Sequence, residues 1–262
     1  MILLENGPRG EAALFAGPAR VIRADAAHEV AAALDALDAA RAGGAWLAGY
    51  ASYELGYALE PKLAPLMPVR PGSPLLHFGV YDAPASAAAA LAQAGAEAPG
   101  AALGRPAPTL DRAAHARAVG RVRDYIAAGD VYQVNLTMQM TVAAAGTPLG
   151  LYIALQQRQP VAHGALVALP DAPVILSRSP ELFFATDAAG RIETRPMKGT
   201  APRASNPAHD AALKLGLQES AKDRAENLMI VDLLRNDISR IARVGSVRVP
   251  ALYAIESYAT VH

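Results

Sequence analysis

The sequence predicts an α+β fold whose sheets are largely antiparallel. Strand-like stretches occur mostly as adjacent pairs, and isolated helical stretches lie between them, which differs from the regular alternation of a parallel sheet. With 262 residues, 52% of them hydrophobic, the chain can bury a sizeable core in one large domain or two smaller ones. An Ala-, Pro- and Gly-rich stretch over 84–108 divides the sequence. We therefore expect an N-terminal region over 1–105 and a second region over 106–262.

Hydrophobic periodicity and turn residues place the elements in both regions. The N-terminal region predicts a strand over 1–6, a helix over 25–42 with Asp25 as N-cap, a strand turning into a loop over 45–59, a strand over 74–83 and a short helix over 85–94. The second region predicts a helix over 111–128 ended by Gly129, a strand over 131–142, short strands over 165–170 and 174–179, a hairpin over 181–197 around residues 188–190, and helices that begin at Asn206-Pro207 and at Ser220, the last reaching about Arg235.

Composition excludes several classes of function. Twenty-four basic residues balance 24 acidic ones, which argues against a polyanionic partner such as nucleic acid. The absence of cysteine excludes disulfides and thiolate metal sites. The first residues lack the basic and apolar segments of a signal peptide, and no apolar run approaches 18 residues. A soluble, cytoplasmic protein is the resulting expectation.

Lys198, in the stretch Pro-Met-Lys-Gly-Thr, is the first candidate functional residue. Only four of the 24 basic residues are lysines, at positions 62, 198, 214 and 222, so this chain normally uses arginine where a positive charge suffices. Lysine, unlike arginine, can lose its proton in a suitable environment. Gly199 permits close approach of a ligand to the backbone, and Thr200 offers a hydroxyl. From the residues alone, a nucleophile or anion binder and a solvated turn lysine are equally favoured.

Three carboxylates are further candidates. Glu181 opens the hairpin that ends just before Lys198, so the two residues can lie side by side, as a general acid/base next to a lysine or, more simply, as an edge-strand salt bridge. Asp223 and Glu226 are three residues apart at the start of a helix and share a face, which suits Mg²⁺. For an isolated pair of this kind, complementation of the helix dipole is the favoured alternative. Asp232 with Arg235, and residues 236–237, are interpreted as a structural ion pair and a helix cap.

Four motifs in order carry a family resemblance. They are YIAAGDVYQVNLT over 125–137, SRSPELFF over 177–184, IETRPMKGTAPR over 192–203 and DRAENLMIVDLLRNDISRI over 223–241. Together they resemble the chorismate-utilising enzymes, which include anthranilate, isochorismate and salicylate synthases and aminodeoxychorismate synthase component I. The stretch over 49–61 resembles the N-terminal region of the last branch. The resemblance implies an α+β fold in which two stacked, largely antiparallel sheets form a β-sandwich flanked by helices.

Lysine at position 198 resembles the aminodeoxychorismate synthase branch, because the other branches typically carry alanine there. That branch is a transferase-type enzyme that converts chorismate and ammonia to 4-amino-4-deoxychorismate, for p-aminobenzoate and folate synthesis. The resemblance implies that Lys198 attacks the chorismate ring, that Glu181 is the general acid/base, that Glu226 and Asp223 hold Mg²⁺, and that Gly199 and Thr200 line the substrate pocket. It also implies a glutamine amidotransferase subunit that supplies ammonia.

The resemblance has limits, and alternatives stay open. Family members continue beyond the point at which this sequence ends, so we expect a fragment or a truncated gene product. His262 is either the family's catalytic histidine or, as we favour, the residue before it. Leu3 to Asn6 resembles a stretch that binds feedback tryptophan in anthranilate synthases, although a core strand is the favoured interpretation. The alternative functions are anthranilate synthase component I and a non-catalytic remnant that only binds the amidotransferase.

Overall fold

The computed structural model describes residues 1–68 and 72–262. Its strands are β1 Ile2–Leu4, β2 Ala13–Phe15, β3 Arg20–Ala24, β4 Trp46–Ala51, β5 Leu76–Tyr81, β6 Ala85–Ser86, β7 Ala102–Leu103, β8 Ala107–Pro108, β9 Met140–Thr141, β10 Ala144–Ala145, β11 His163–Val167, β12 Ile175–Ser179, β13 Leu182–Thr186 and β14 Ile192–Arg195. Its α-helices are α1 Val30–Ala42, α2 Leu55–Leu59, α3 Ala88–Glu97, α4 Arg112–Ala128, α5 Pro148–Arg158, α6 Pro207–Glu219 and α7 Ala221–Ser239. Short 3-10 helices cover Ala27–Glu29, Ala64–Leu66 and Ala98–Gly100.

The named strands pair antiparallel throughout the described part of the chain. One sheet has the order β12-β11-β1-β2-β6 and another the order β3-β5-β4, while β7–β10, β8–β9 and β13–β14 form two-stranded sheets. The predicted mixture of helices and sheets is therefore confirmed. The five-stranded sheet takes strands from both sides of residue 105, and the division of the chain there stays a prediction.

Buried apolar residues form three clusters around the two larger sheets. One packs α1 against the three-stranded sheet, through residues such as Ile22 and Val30. A second contains residues of both sheets, among them Phe15 and Tyr81, whose ring centroids lie 5.2 Å apart. The third packs α3 and α5 against the five-stranded sheet and includes the fully buried Tyr152. Of the described residues after 169, His262 is the one that is buried.

Local capping signals set the starts of three helices, as the sequence predicts. The side chains of Asp111, Asn206 and Ser220 each accept a hydrogen bond from the backbone N–H three residues later, at 2.6, 3.0 and 3.3 Å. These bonds satisfy amides that have no partner inside the helix. Gly129 ends α4 with φ +80°, a conformation that favours glycine. The predicted starts of α4, α6 and α7 are confirmed.

The predicted cap of α1 is wrong. Asp25 does not begin the helix, because a 3-10 turn over Ala27–Glu29 precedes α1. The Glu29 carboxylate instead accepts hydrogen bonds from the backbone N–H groups of Asp25 and Ala26, at 2.7 and 3.0 Å. Asp25 pairs with Arg23, whose Nε lies 2.7 Å from its Oδ2. The carboxylate four residues later thus replaces the predicted cap.

The predicted strand over 131–142 is largely wrong. Only Met140–Thr141 forms a strand, paired with Ala107–Pro108, although apolar and polar residues alternate along the whole stretch. Alternation describes the two faces of a strand, but a strand in a sheet also needs a second strand beside it whose backbone groups can form hydrogen bonds with its own. The Gln139 carbonyl oxygen still accepts a hydrogen bond from the Thr109 N–H at 3.0 Å, but residues 132–138 form no such pairing in the described part of the chain, and their apolar side chains are exposed.

Two helices differ from their predicted ends. Residues 55–59 form α2 where a loop was expected. Helix α7 continues to Ser239, so residues 236–237 lie inside it and do not cap it. The predicted ion pair on α7 is present, with Arg235 Nη1 2.8 Å from Asp232 Oδ1. No helix within residues 1–68 and 72–262 has both the length and the apolar character needed to cross a lipid bilayer.

Candidate active site

The turn that carries Lys198 is tied to the start of the preceding hairpin. Strand β13 pairs with β14 so that Leu182 lies opposite Arg195, which brings residue 181 close to the residues after β14. The Glu181 carboxylate accepts a hydrogen bond from the backbone N–H of Met197, at 3.0 Å. The structure therefore places Glu181 beside the residue that precedes Lys198. The role of Glu181 as a general acid/base stays a prediction.

Gly199 packs the same turn against the start of α7. Its φ is +76°, and a Cβ built on it would lie 3.0 Å from Asp223 Oδ1. A side chain at this position would be strained by the backbone and crowded by the carboxylate. Lys198, Gly199 and Asp223 are thus brought together, and the exposed Thr200 follows directly.

Replacing Gly199 by alanine is expected to lower the free energy of unfolding by about 1–2 kcal/mol, because alanine must adopt a left-handed backbone conformation. Urea denaturation of the variant measures this loss. Gly190→Ala is a matched control, since Gly190 also has φ +76° but a Cβ added to it would meet nothing within 4 Å. We expect Gly199→Ala to cost more than Gly190→Ala because of Asp223. Equal costs in the two variants would contradict the contact.

Lys198 lines a small cavity of about 40 Å³ at the start of α7. The other lining residues are Leu217, Gln218, Asp223, Arg224, Asn227, Tyr253, Ala254 and Ile255. This volume holds one or a few water-sized molecules, whereas pockets for small organic ligands usually measure several hundred Å³. The cavity therefore defines the immediate surroundings of the lysine side chain, with a carboxylate and two amides on its wall.

Arg224 and Tyr253 are two of the cavity residues that the sequence analysis did not single out. The Arg224 guanidinium lies over the Tyr253 ring, 4.2 Å from its centroid, in a cation–π contact. Tyr253 has φ +62°, a rare conformation for a bulky aromatic residue. Both residues line the cavity that contains Lys198. No local sequence pattern marks Tyr253, because its role depends on a partner 29 positions earlier in the chain.

Glu226 lies one turn further along α7 and is held by a residue distant in sequence. Gln133 Nε2 donates a hydrogen bond to Glu226 Oε1 at 2.5 Å, and the pair is partly buried. Glu226 is not part of the cavity wall around Lys198. The sequence analysis gave Gln133 no role of its own, although the residue lies in the motif over 125–137 that carries the family resemblance.

Asp223 and Glu226 lie three residues apart on α7 and are the predicted ligands of a metal ion. Among the described residues, no group of three or more His, Cys, Asp or Glu side chains could hold a metal. Mg²⁺ commonly binds through only one or two protein carboxylates and takes its remaining ligands from water or substrate. The chemistry of this pair therefore fits Mg²⁺, and does not fit a metal that needs several protein ligands.

The segment after Lys198 is held by Asp210, which the sequence analysis did not single out. Arg203 Nε lies 2.9 Å from Asp210 Oδ1, and Nη2 lies 2.9 Å from Oδ2. The backbone N–H of Ala204 donates to Oδ1 at 2.8 Å. The Arg203 guanidinium, followed by the Ala204 amide, holds the pKa of the Asp210 carboxyl well below its usual range. Asp210 therefore stays ionised at neutral pH.

His262 faces Asp210 and not the cavity around Lys198. Its imidazole Nε2 lies 3.1 Å from Asp210 Oδ1, and its Nδ1 lies 2.9 Å from Ser257 Oγ. The side chain is only 3% exposed. Its backbone pairs in both directions with Ala201, at 2.8 and 3.1 Å. The structure therefore places the His262 backbone near the lysine turn and its ring in a separate polar contact.

A second, larger cavity lies beside β1. Its volume is about 360 Å³, and its lining residues are Leu3, Leu4, Glu5, Asn6, Gly10, Ala12, Leu91, Gln156, Val161 and Ala162. Leu3 is fully buried in the five-stranded sheet, so the favoured interpretation of this stretch as a core strand is confirmed. The volume lies within the range of small-molecule sites.

Glu5 links this cavity to β12. Its carboxylate pairs with the Arg178 guanidinium and accepts a hydrogen bond from Tyr152 Oη at 2.6 Å. Arg178 Nη2 also donates to the Gln159 carbonyl oxygen at 2.8 Å. Burial, and then the bond to Glu5, raises the pKa of the Tyr152 hydroxyl above its usual value. Arg178 is on β12 and lies three residues before Glu181, which binds the lysine turn from the segment between β12 and β13.

Curated relatives share sequence with about half of the chain. Aminodeoxychorismate synthase component 1 of Escherichia coli is 44% identical over 142 residues, which are 54% of this chain and 31% of the relative. Aminodeoxychorismate synthase of Streptomyces pristinaespiralis is 46% identical over 144 residues, covering 55% and 20%. The Bacillus subtilis component 1 is 40% identical over 145 residues, covering 55% and 30%. The match thus spans a fifth to a third of the length of these relatives.

A solved structure shares the fold. It is the Bacillus anthracis protein DhbC, described as a 2,3-dihydroxybenzoate-specific isochorismate synthase, which matches with a TM-score of 0.59 at 16% identity. The match covers 88% of this chain and 57% of that one. The family described as chorismate binding enzyme matches residues 1–262, the whole sequence. The chain belongs to the chorismate-binding enzyme family.

Proposed function

We propose that the chain acts as aminodeoxychorismate synthase component I, which converts chorismate and ammonia to 4-amino-4-deoxychorismate. The observation that carries the proposal is the half-buried Lys198 in its Pro-Met-Lys-Gly-Thr turn, next to Glu181 and Asp223. Relatives of 40–46% identity that carry this name support it. Anthranilate synthase component I is less favoured, because that branch typically has alanine at this position.

In the proposed reaction, the uncharged amine of Lys198 attacks C2 of the chorismate ring. As the C2–N bond forms, the conjugated double bonds of the ring shift toward C4, and the C4–O bond breaks with its electron pair leaving on the oxygen, which takes a proton from Glu181 and departs as water. Ammonia then adds at C4 and gives a proton to Glu181, while the C2–N bond breaks and returns the lysine amine. The net change is chorismate plus ammonia to 4-amino-4-deoxychorismate plus water.

Asp223 and Glu226 would hold Mg²⁺ in this proposal. The bound ion would orient the chorismate carboxylate and withdraw charge from it. Gln133 would keep the Glu226 carboxylate in one orientation, since hydrogen bonds to metal ligands commonly set their geometry. Gly199 and Thr200 would line the substrate side of the turn. The cluster that contains Phe15 and Tyr81 supports stacking of the two larger sheets as a β-sandwich.

The proposed partner is a glutamine amidotransferase subunit that supplies ammonia. The names of the Escherichia coli and Bacillus subtilis relatives include "component 1", which supports a second component. 4-Amino-4-deoxychorismate would lead to p-aminobenzoate and folate. In the assay below, free ammonium takes the place of the ammonia that this partner would supply.

Product analysis by liquid chromatography and mass spectrometry tests the proposal. Chorismate, ammonium and Mg²⁺ are incubated with this chain and, in parallel, with the longest protein that its gene encodes. The expected product is 4-amino-4-deoxychorismate. Anthranilate as the product would overturn the proposal in favour of the other amination branch. If neither protein consumes chorismate, the chain is a binding protein and the proposed enzyme function is wrong.

A further inference from the structure

Asp210 gathers three groups from two separate segments of the chain. Arg203 contacts both carboxylate oxygens, with Nε 2.9 and 3.1 Å and Nη2 2.9 Å from them. The Ala204 amide and the His262 imidazole share Oδ1, at 2.8 and 3.1 Å. The Asp210 side chain is 17% exposed and His262 only 3%. A bidentate, partly buried arginine–carboxylate contact of this kind fixes geometry more strongly than an exposed ion pair.

The two gathered segments are also paired through their backbones. Ala201 and His262 exchange two hydrogen bonds, and the Arg203 N–H donates to the Thr260 carbonyl oxygen at 3.1 Å. Arg203 Nη1 donates to the Tyr258 carbonyl oxygen at 2.7 Å. The segment over 201–204 is therefore held between α6 and residues 258–262. Within the described part of the chain, Asp210 is the only carboxylate that pairs with Arg203.

The lysine turn is thus anchored at both ends. Upstream, Glu181 binds the Met197 amide, and downstream Ala201 pairs with the backbone of His262, with Arg203, the first residue that contacts Asp210, five residues after Lys198. Between the anchors, Gly199 has φ +76° and rests on Asp223. A short turn with fixed ends has few conformations available, so the position of the lysine amine depends on both anchors.

We propose that Asp210 is a positioning residue for Lys198, which holds the downstream end of the lysine turn through Arg203, Ala204 and His262. Its catalytic meaning rests on the proposed function, in which Lys198 is the nucleophile. The positioning of the amine does not depend on the proposed function, because the network sets the environment of the amine whether or not chorismate is the substrate. A misplaced nucleophile loses rate steeply, so this anchor would matter for turnover.

Competitive acylation of the four lysines tests the proposal without any substrate. The protein is treated with a limiting amount of acetic anhydride across neutral and mildly alkaline pH, where Asp210 stays ionised, and each lysine is quantified by peptide mass spectrometry. Lys198 is half-buried, whereas Lys62, Lys214 and Lys222 are exposed and serve as internal references. We expect Asp210→Asn to change the Lys198 rate by roughly threefold or more relative to these references, because the amine moves to a different position in its cavity.

Asp232→Asn is the matched control, because Asp232 also pairs with an arginine but lies outside the network. It should leave all four relative rates unchanged. A purely structural role for Asp210 would instead change the rates of all four lysines in parallel, or leave the Lys198 ratio within the error of wild type, and either result overturns the proposal. If Asp210→Asn does not fold, Arg203→Lys decides, since it keeps the charge but loses the bidentate contact. If Asp210→Asn changes the acylation of Lys198 selectively but the wild-type protein does not turn over chorismate, the positioning role is upheld and the proposed function is rejected.

Discussion

Lys198→Ala is expected to abolish formation of 4-amino-4-deoxychorismate, with kcat reduced on the order of a thousand-fold or more. In the proposed reaction, the lysine amine forms the bond to C2 that allows the C4 oxygen to leave, and alanine cannot form it. Alanine also leaves the fold largely intact, because Lys198 contributes to a small cavity and not to a core cluster. The measurement is the initial rate of product formation at saturating chorismate and ammonium.

Two further variants make this prediction specific. Lys198→Arg should be as inactive as Lys198→Ala, because the guanidinium keeps its positive charge and cannot act as a nucleophile. Lys222→Ala should retain wild-type turnover, since Lys222 is an exposed residue on α7 outside the cavity. Activity of the arginine variant close to that of wild type would show that position 198 needs only a positive charge. Covalent attack by the lysine would then be rejected.

The elements that the sequence predicts correctly are those with local signals. Asp111, Asn206 and Ser220 cap their own helices, so a few residues of sequence contain both partners of each hydrogen bond. The hairpin over β13 and β14 is equally local, because its turn and its pairing lie within one stretch. The closeness of Glu181 to residue 197 follows from that hairpin alone.

The wrong strand and the missed site contacts arise where a partner lies far away in sequence, whereas the wrong cap of α1 involves a carboxylate only four residues away. The stretch over 131–142 has the alternation of a strand, yet strand formation depended on neighbours that alternation does not describe. Gln133 and Glu226 are separated by 93 positions, and His262 and Asp210 by 52. A single sequence, without an alignment of its relatives, contains no signal that pairs such residues. These parts of the candidate site therefore required the structure.

The buried pair beside β1 leads to the second large expected effect. Glu5→Ala is expected to lower the free energy of unfolding by about 3 kcal/mol, because it leaves the Arg178 guanidinium buried without its counter-charge and removes the acceptor for Tyr152. Both side chains of the ion pair are only 13–14% exposed, so water can replace the lost carboxylate only in part. Urea denaturation, followed by tryptophan fluorescence of Trp46, measures the loss.

Replacing both residues of this ion pair in one variant separates two contributions to the lost stability: the cost of a buried unpaired charge and the loss of the ion pair itself. We expect Glu5→Leu with Arg178→Met to recover most of the stability lost in Glu5→Ala, since apolar residues of similar volume often replace buried ion pairs at little cost. Glu193→Ala is the control: its pair with Arg195 is more than half exposed and should contribute less than about 1 kcal/mol. If Glu5→Ala unfolds as late in urea as Glu193→Ala, the pair is not what holds β1 to β12. In that case the packing of Leu3 and Leu166 within the same sheet is sufficient by itself.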